Sequence, residues 1–124
     1  MKVELTNKES EEFFHTALCN GLGYMGGYGL KLMYDSDKYS IARDKLDSPC
    51  FEDVLLQILK DGGELTFADI ECDEYHSTIG IGDVHEKVQE TPVKHLFDMH
   101  DERDDAITAD CIIQSVFYGE IIFG

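Results

Sequence analysis

Ser48-Pro-Cys-Phe-Glu-Asp-Val-Leu-Leu-Gln-Ile-Leu-Lys-Asp-Gly-Gly-Glu-Leu-Thr-Phe-Ala-Asp-Ile70 carries two hydrophobic periods joined by a glycine pair. Phe51, Val54, Leu55, Ile58 and Leu59 fall at i, i+3, i+4, i+7 and i+8, the spacing of one helix face. Ser48-Pro49 supplies an N-cap and a first helical residue, and Gly62-Gly63 supplies the exit. Leu65 to Ile70 then alternates as a half-buried strand does. A helix followed directly by a strand points to a mixed domain, and the flanking sequence extends that reading.

Upstream, Thr6 and Glu9 have capping-box spacing, and Phe13, Phe14, Ala17 and Leu18 mark a first helix over 7–20 that stops at Asn20-Gly21. Residues 21–29 hold five of the eleven glycines and read as a loop. Leu30, Leu32 and Tyr34, then Tyr39, Ile41 and Arg43 across Asp35-Ser-Asp-Lys38, suggest a β-hairpin. Downstream, Thr78–Ile81 reads as a short strand. Asp83 is placed to cap a helix over 84–90, Thr91-Pro92 to open one through Phe97, and Thr108 to cap a last helix with the stripe Ala109, Ile112, Ile113, Val116, Phe117. Glu120–Phe123 would close the chain as a strand. The expected architecture is a single α+β domain over residues 1–124, with helices on one face of a small, mainly antiparallel sheet. Asp53–Gln57 and Asp110–Gln114 match in character, with glycine and then Glu64–Phe67 or Glu120–Phe123 following, a pattern that any amphipathic helix leading to a buried strand gives, with a weak helix–glycine–strand duplication as the sharper alternative. Both Asp/Gln pairs read as local hydrogen bonds on exposed faces.

The Ser48–Gly63 segment, together with Thr108-Ala-Asp-Cys-Ile-Ile-Gln114 and Gly119-Glu-Ile-Ile-Phe-Gly124, resembles a family of small uncharacterised proteins of gut Bacteroides-type bacteria and their phages. The resemblance implies a habitat and supplies no activity and no catalytic residues.

Composition restricts the partners. The 124 residues hold 26 acids against 10 bases, a formal charge of −16. Residues 63–124 alone hold 15 acids and 3 bases, a difference of −12. Such a surface repels nucleic-acid phosphates and anionic lipid, so neither free nucleic acid nor a membrane is an expected partner. The opening MKVELTNKESEE is polar and no apolar run reaches the ~18 residues of a membrane span, which fits a cytoplasmic location. Cys19, Cys50, Cys72 and Cys111 form no CxxC pair and read as small apolar fillers with free thiols.

Several fragments of chemical motifs fail on context. Gly21-Leu-Gly-Tyr-Met-Gly26 satisfies GxGxxG, but it leaves a helix where a phosphate loop should enter one. Asp35-Ser-Asp-Lys-Tyr39 begins like a calcium loop, yet Ser40 and Leu46 replace the glycine and glutamate it needs. His85-Glu86 begins a zinc-protease pattern whose second histidine is Gln89. His95, Asp98 and His100 are the densest potential ligands, but His100 is turned well away from His95 on a helix. Cys50 is the thiol best placed for activation, at a helix N-terminus. No cofactor, metal site or catalytic residue is therefore expected.

The function expected from this reading is a non-catalytic acidic binding or regulatory protein that engages a basic protein surface. Its boldest form is a DNA-mimicking inhibitor from a phage or mobile element. Glu71, Asp73, Glu74, Asp101, Glu102, Asp104 and Asp105 are the candidate contacts. The alternatives are a homodimer pairing through Ile121–Phe123 and, further off, a small metal-dependent hydrolase using His95, Asp98 and His100.

Overall fold

The computed structural model describes residues 3–69, 71 and 74–124. The first helix, α1 (Asn7–Gly27), opens on a full capping box: Thr6 Oγ1 accepts the Glu9 N–H at 3.1 Å and Glu9 Oε1 accepts the Thr6 N–H at 2.9 Å. It does not stop at Asn20-Gly21 but runs through the glycine segment expected to be a loop. The cause lies across the core. Phe14, Leu18, Gly21 and Met25 are buried at i, i+4, i+7 and i+11, so the apolar stripe continues through the glycine. A Cβ on Gly21 would stand 2.9 Å from Ala109 Cβ and 3.0 Å from the backbone of Ala109 and Asp110. Gly21 is the point where α1 crosses the last helix, and the close approach of two backbones offsets glycine's poor helix propensity.

After Gly29, at φ +85°, the chain enters β1 (Leu30–Met33). The next segment is a helix, α2 (Ser36–Asp44), where a hairpin strand was expected. Asp35 Oδ1 accepts the N–H groups of Asp37 and Lys38 at 2.9 and 3.1 Å, so Asp35 is an N-cap rather than a turn residue or the start of a cation loop. Tyr39, Ala42 and Leu46 face the core at helical spacing, while Ile41 is 58% exposed.

The helix α3 (Phe51–Lys60) forms as the periodicity predicts, with Val54, Leu55, Ile58 and Leu59 buried. It begins two residues later than Ser48-Pro49 suggests: Cys50 is the cap, and Ser48 turns the chain with φ 47°. Gly62, at φ +89°, leads into β2 (Leu65–Asp69). Ile70, expected to end that strand, lies outside the described residues. The third strand is β3 (Ser77–Ile79), one residue earlier at its start than expected. The helix α4 (Ile81–Lys87) starts earlier than predicted, because Asp83 sits at its third position and accepts the Gly80 N–H at 2.9 Å instead of capping it. A 3-10 turn (Val88–Glu90) and α5 (Val93–His100) follow. The last helix, α6 (Ala106–Tyr118), is capped by Asp105 rather than Thr108, with the Thr108 N–H donating to Asp105 Oδ1 at 2.9 Å. Gly119, at φ +74°, ends it in the left-handed conformation that glycine adopts without strain.

The three strands make an antiparallel sheet in the order β1-β2-β3, with Leu32 opposite Phe67 and Leu65 opposite Ile79. Leu30, Leu65, Phe67 and Ile79 are buried on one face, whereas Lys31, Met33 and Thr78 of the other face are exposed. The fold is α+β with helices on one side of the sheet. At its centre lies α6, buried continuously from Thr108 to Phe117, and Phe117 meets Phe67 of the sheet at a ring separation of 4.3 Å. Residues 120–123 form no strand, so the second of the two resembling units lacks the element that would make it a duplicate. No helix among the described residues is long and apolar enough to cross a membrane.

Candidate functional site

The Asp110/Gln114 pair illustrates how burial redirects a local motif. Both residues are buried, at 7% and 0% exposure, where an exposed face was expected. Their i,i+4 hydrogen bond is present, from Gln114 Nε2 to Asp110 Oδ1 at 2.8 Å. The same Gln114 amide also holds the chain terminus, because its Oε1 accepts the N–H groups of Ile122 and Phe123, each at 2.8 Å. Asp110 Oδ2 accepts the Tyr28 hydroxyl at 2.6 Å. That bond, more than burial, pushes the Tyr28 pKa up to about 12. Phe123 stacks on Tyr28 at 4.7 Å and meets Tyr75 edge-on at 4.9 Å. The terminal segment is therefore folded onto α6, and Ile121–Phe123 is not an open sheet edge of the kind strand pairing requires.

The candidate partner contacts separate into two groups. Asp101, Glu102, Asp104 and Asp105 occupy the connection between α5 and α6, next to the N-terminus of α6. Glu71 and Glu74 lie between β2 and β3, near the opposite end of α6, where the Tyr118 hydroxyl donates to the Tyr75 carbonyl at 2.9 Å and Ser77 Oγ donates to the Phe117 carbonyl. Asp73 lies outside the described residues. Thirteen residues of helix at ~1.5 Å each put about 20 Å between the groups, so they form two patches rather than one. In the first patch the acids also maintain the connection. Arg103 Nη2 donates to Asp101 at 2.8 Å, Asn20 Nδ2 donates to Asp104 at 3.2 Å, and Asp105 caps α6. The Asp101 carboxyl is held below its ordinary range by His100 and then Arg103, and the Asp105 carboxyl by the Thr108 main-chain N–H. Asp101, Glu102, Asp105, Glu71 and Glu74 are all exposed.

The motif fragments resolve into structural roles. Gly21, Gly23 and Gly26 lie within α1, so the GxGxxG match cradles nothing. His85 Nε2 pairs with Glu11 Oε2 at 2.7 Å, joining α4 to α1, and Gln89 Oε1 accepts the Leu5 N–H at 3.0 Å. His95 Nδ1 lies 3.4 Å from Thr108 Oγ1, and His100 faces Asp101 at 3.3 Å. Among the described residues no converging set of three ligand groups includes His95, Asp98 or His100.

A converging set does exist elsewhere, in a place sequence reasoning passed over. A cleft of about 500 Å³ opens between α1 and α3, lined by residues that include His15, Asp53, Lys8 and Lys60. On its wall His15 Nε2 meets Asp53 Oδ1 at 2.6 Å, with the two side chains 31% and 40% exposed. The Cys50 thiol joins them, and the ligand atoms of His15, Cys50 and Asp53 all lie within 4.8 Å of one another. Cys19 Sγ approaches the same His15 Nε2 at 4.0 Å. Asp53 is oriented by the Cys50 N–H, which donates to its Oδ2 at 3.1 Å. That bond and then His15 hold the Asp53 carboxyl below its usual range. Gln57, expected to pair with Asp53, instead donates to Asp61 at 2.8 Å.

The surroundings of both exposed thiols push their pKa values up. At Cys50 the Asp53 main-chain N–H lowers the pKa, but desolvation and the Asp53 and Glu52 side chains outweigh it, and the thiol is pushed up. The helix N-terminus acts on the Cys50 thiol in the lowering direction but is outweighed there. Burial, followed by Glu52, Cys50 and Asp53, pushes up Cys19. Cys111 is buried in α6, consistent with a filler, and Cys72 lies outside the described residues. The sequence does contain a clue to the cluster: His15 and Cys19 stand at i,i+4 on a helix, one turn apart on a shared face. Cys50 and Asp53 add to it only because α3 docks there. No protein-family model, curated protein or solved structure matches the chain.

Proposed function

We propose that this chain is a non-catalytic acidic binding or regulatory protein that engages a basic protein surface, acting in the cytoplasm. The observation that carries the reading is charge. The formal charge is −16, and residues 63–124 contribute −12 of it through 15 acids and 3 bases. A field of that sign accelerates encounter with a cationic partner and disfavours nucleic acid and anionic membrane. The exposure of both acidic patches supports the reading, and their separation refines it. A protein–protein interface of ordinary size covers ~800 Å² on each partner, a disc about 30 Å across, so patches about 20 Å apart can belong to one contact. A partner engaging both would itself carry two basic clusters. The boldest form of the proposal remains a phage or mobile-element inhibitor whose carboxylates stand in for nucleic-acid phosphates.

The test is charge reversal, one patch at a time. Asp104 and Asp105 are left intact, because they secure Asn20 and the α6 N-terminus. The variants are Glu71→Lys with Glu74→Lys, and Asp101→Lys with Glu102→Lys. Each is compared with the native chain for capture of host-lysate proteins at low and at high salt, with thermal midpoints checking the fold. The expected result is salt-sensitive capture of a basic protein that at least one reversal abolishes. Capture unchanged by both reversals would overturn the proposal.

A further inference from the structure

We propose that His15, Cys19, Cys50 and Asp53 bind one divalent transition-metal ion, zinc by preference, which clamps α1 to the start of α3. The argument begins with convergence. Asp53 Oδ1 and Cys19 Sγ both approach the same ring nitrogen, His15 Nε2, at 2.6 and 4.0 Å. A nucleophile–base–carboxylate relay needs the thiol on one imidazole nitrogen and the orienting group on the other. Donors gathered around one point instead suit a central cation.

The dimensions agree with that reading. With Zn–N and Zn–O near 2.0 Å and Zn–S near 2.3 Å, tetrahedral ligand atoms stand about 3.3–3.8 Å apart. The ligand atoms of His15, Cys50 and Asp53 already lie within 4.8 Å of one another, and Cys19 Sγ is 4.0 Å from the histidine. Cys19 lies outside the set of three, so its exposed thiol must rotate inward to complete the site, while His15 and Asp53 part slightly as the ion replaces their hydrogen bond.

The donor chemistry selects the ion. Two sulfurs, one imidazole nitrogen and one carboxylate oxygen match zinc's borderline character and are poor ligands for magnesium or calcium, which take oxygen. Two thiolates, a carboxylate and a neutral imidazole carry −3, which a divalent ion reduces to −1. The Cys50 N–H on Asp53 Oδ2 is the outer-shell contact that fixes a ligating carboxylate. Four protein ligands close the coordination sphere, so the site is structural, with α1 supplying His15 and Cys19 and the α3 N-terminus supplying Cys50 and Asp53.

This site is independent of the acidic patches. The experiment titrates the reduced, metal-stripped 124-residue chain with Co²⁺ and then with Zn²⁺. The expected result is a thiolate-to-cobalt charge-transfer absorption that saturates at one ion per chain and disappears as Zn²⁺ displaces cobalt. Cys19→Ser and Cys50→Ser each remove part of that absorption. His15→Ala weakens Zn²⁺ by at least the 10–100-fold typical of outer-shell losses (order of magnitude), whereas His100→Ala leaves binding unchanged. Three outcomes overturn the proposal: no thiolate–cobalt absorption in the fully reduced native chain, an absorption that persists in the Cys19→Ser, Cys50→Ser double variant, or cobalt bound only by carboxylates. Because the first outcome is read on the native chain, a variant that fails to fold does not shield the proposal.

Discussion

Both ends of the Gln114 amide are used, and each use depends on burial. Its oxygen accepts two main-chain N–H groups of the terminal segment and its nitrogen donates to Asp110, whose other oxygen accepts the Tyr28 hydroxyl. A buried carboxylate is tolerated only when its oxygens have donors, and here they have two. Gln114→Ala removes one donor from Asp110 and, from the terminal segment, the oxygen that accepts two N–H groups and the nitrogen that donates to the Phe123 carbonyl. The expected cost is about 1–3 kcal/mol by chemical denaturation, because partners left unpaired in a dry site bear the desolvation penalty. Amide hydrogen exchange at Ile122 and Phe123 should accelerate well before that of α6 does. Unchanged protection at those two amides would mean that the aromatic contacts of Phe123 alone retain the segment. The residue types make an i,i+4 Asp–Gln bond legible in sequence, but not that this pair lies in the core holding a chain end, since that follows from what packs over α6.

Helix α1 shows that one residue type can act in opposite senses along a single element. Gly21 has no room for a Cβ against Ala109, whereas a Cβ on Gly23 or Gly26 would meet nothing within 4 Å. Gly21→Ala is therefore expected to destabilise the protein by about 1–3 kcal/mol through overpacking at the α1–α6 crossing. Gly23→Ala and Gly26→Ala should each stabilise it by about 0.4–1 kcal/mol, because alanine restricts the unfolded chain and costs nothing in an open helical position. Thermal or urea denaturation of the three variants checks both signs, and a stabilising Gly21→Ala would refute the close-crossing account. Legibility also varied by element. The α3 stripe and the β2 alternation were readable because each repeats its period over enough residues to exclude the other. The Leu30–Arg43 segment was not: over short runs, apolar spacings of two and of three to four coincide, and Asp35 serves a turn or an N-cap equally well. Only the pairing of β1 with β2 leaves Ser36–Asp44 free to be a helix.

At the scale of the whole molecule, the surplus of carboxylates sets how the fold responds to salt. A formal charge of −16 on 124 residues makes the native state repel itself, and the compact state suffers most where screening is weak. Raising NaCl from about 0.01 M to 0.15 M shortens the Debye length from ~30 Å to ~8 Å, and the thermal midpoint is expected to rise by a few degrees. A midpoint independent of salt by scanning calorimetry would mean that local pairings such as Lys45–Asp61 and Arg103–Asp101 already offset the repulsion. The order of residue types alone was enough to establish the mixed helix–strand class, the first and third helices, the helical nature of the last, and the sign of the field around the molecule, because periodicity and net charge are properties of the chain itself. Only the packed fold set the glycines of α1 inside a helix, buried Asp110 and Gln114, divided the acids between the two ends of α6, and brought Cys50 and Asp53 against His15 and Cys19. Each of those outcomes depends on which distant segment occupies the neighbouring space, and contacts such as His15–Asp53 and Asn20–Asp104, 38 and 84 positions apart in the chain, leave no local pattern to read.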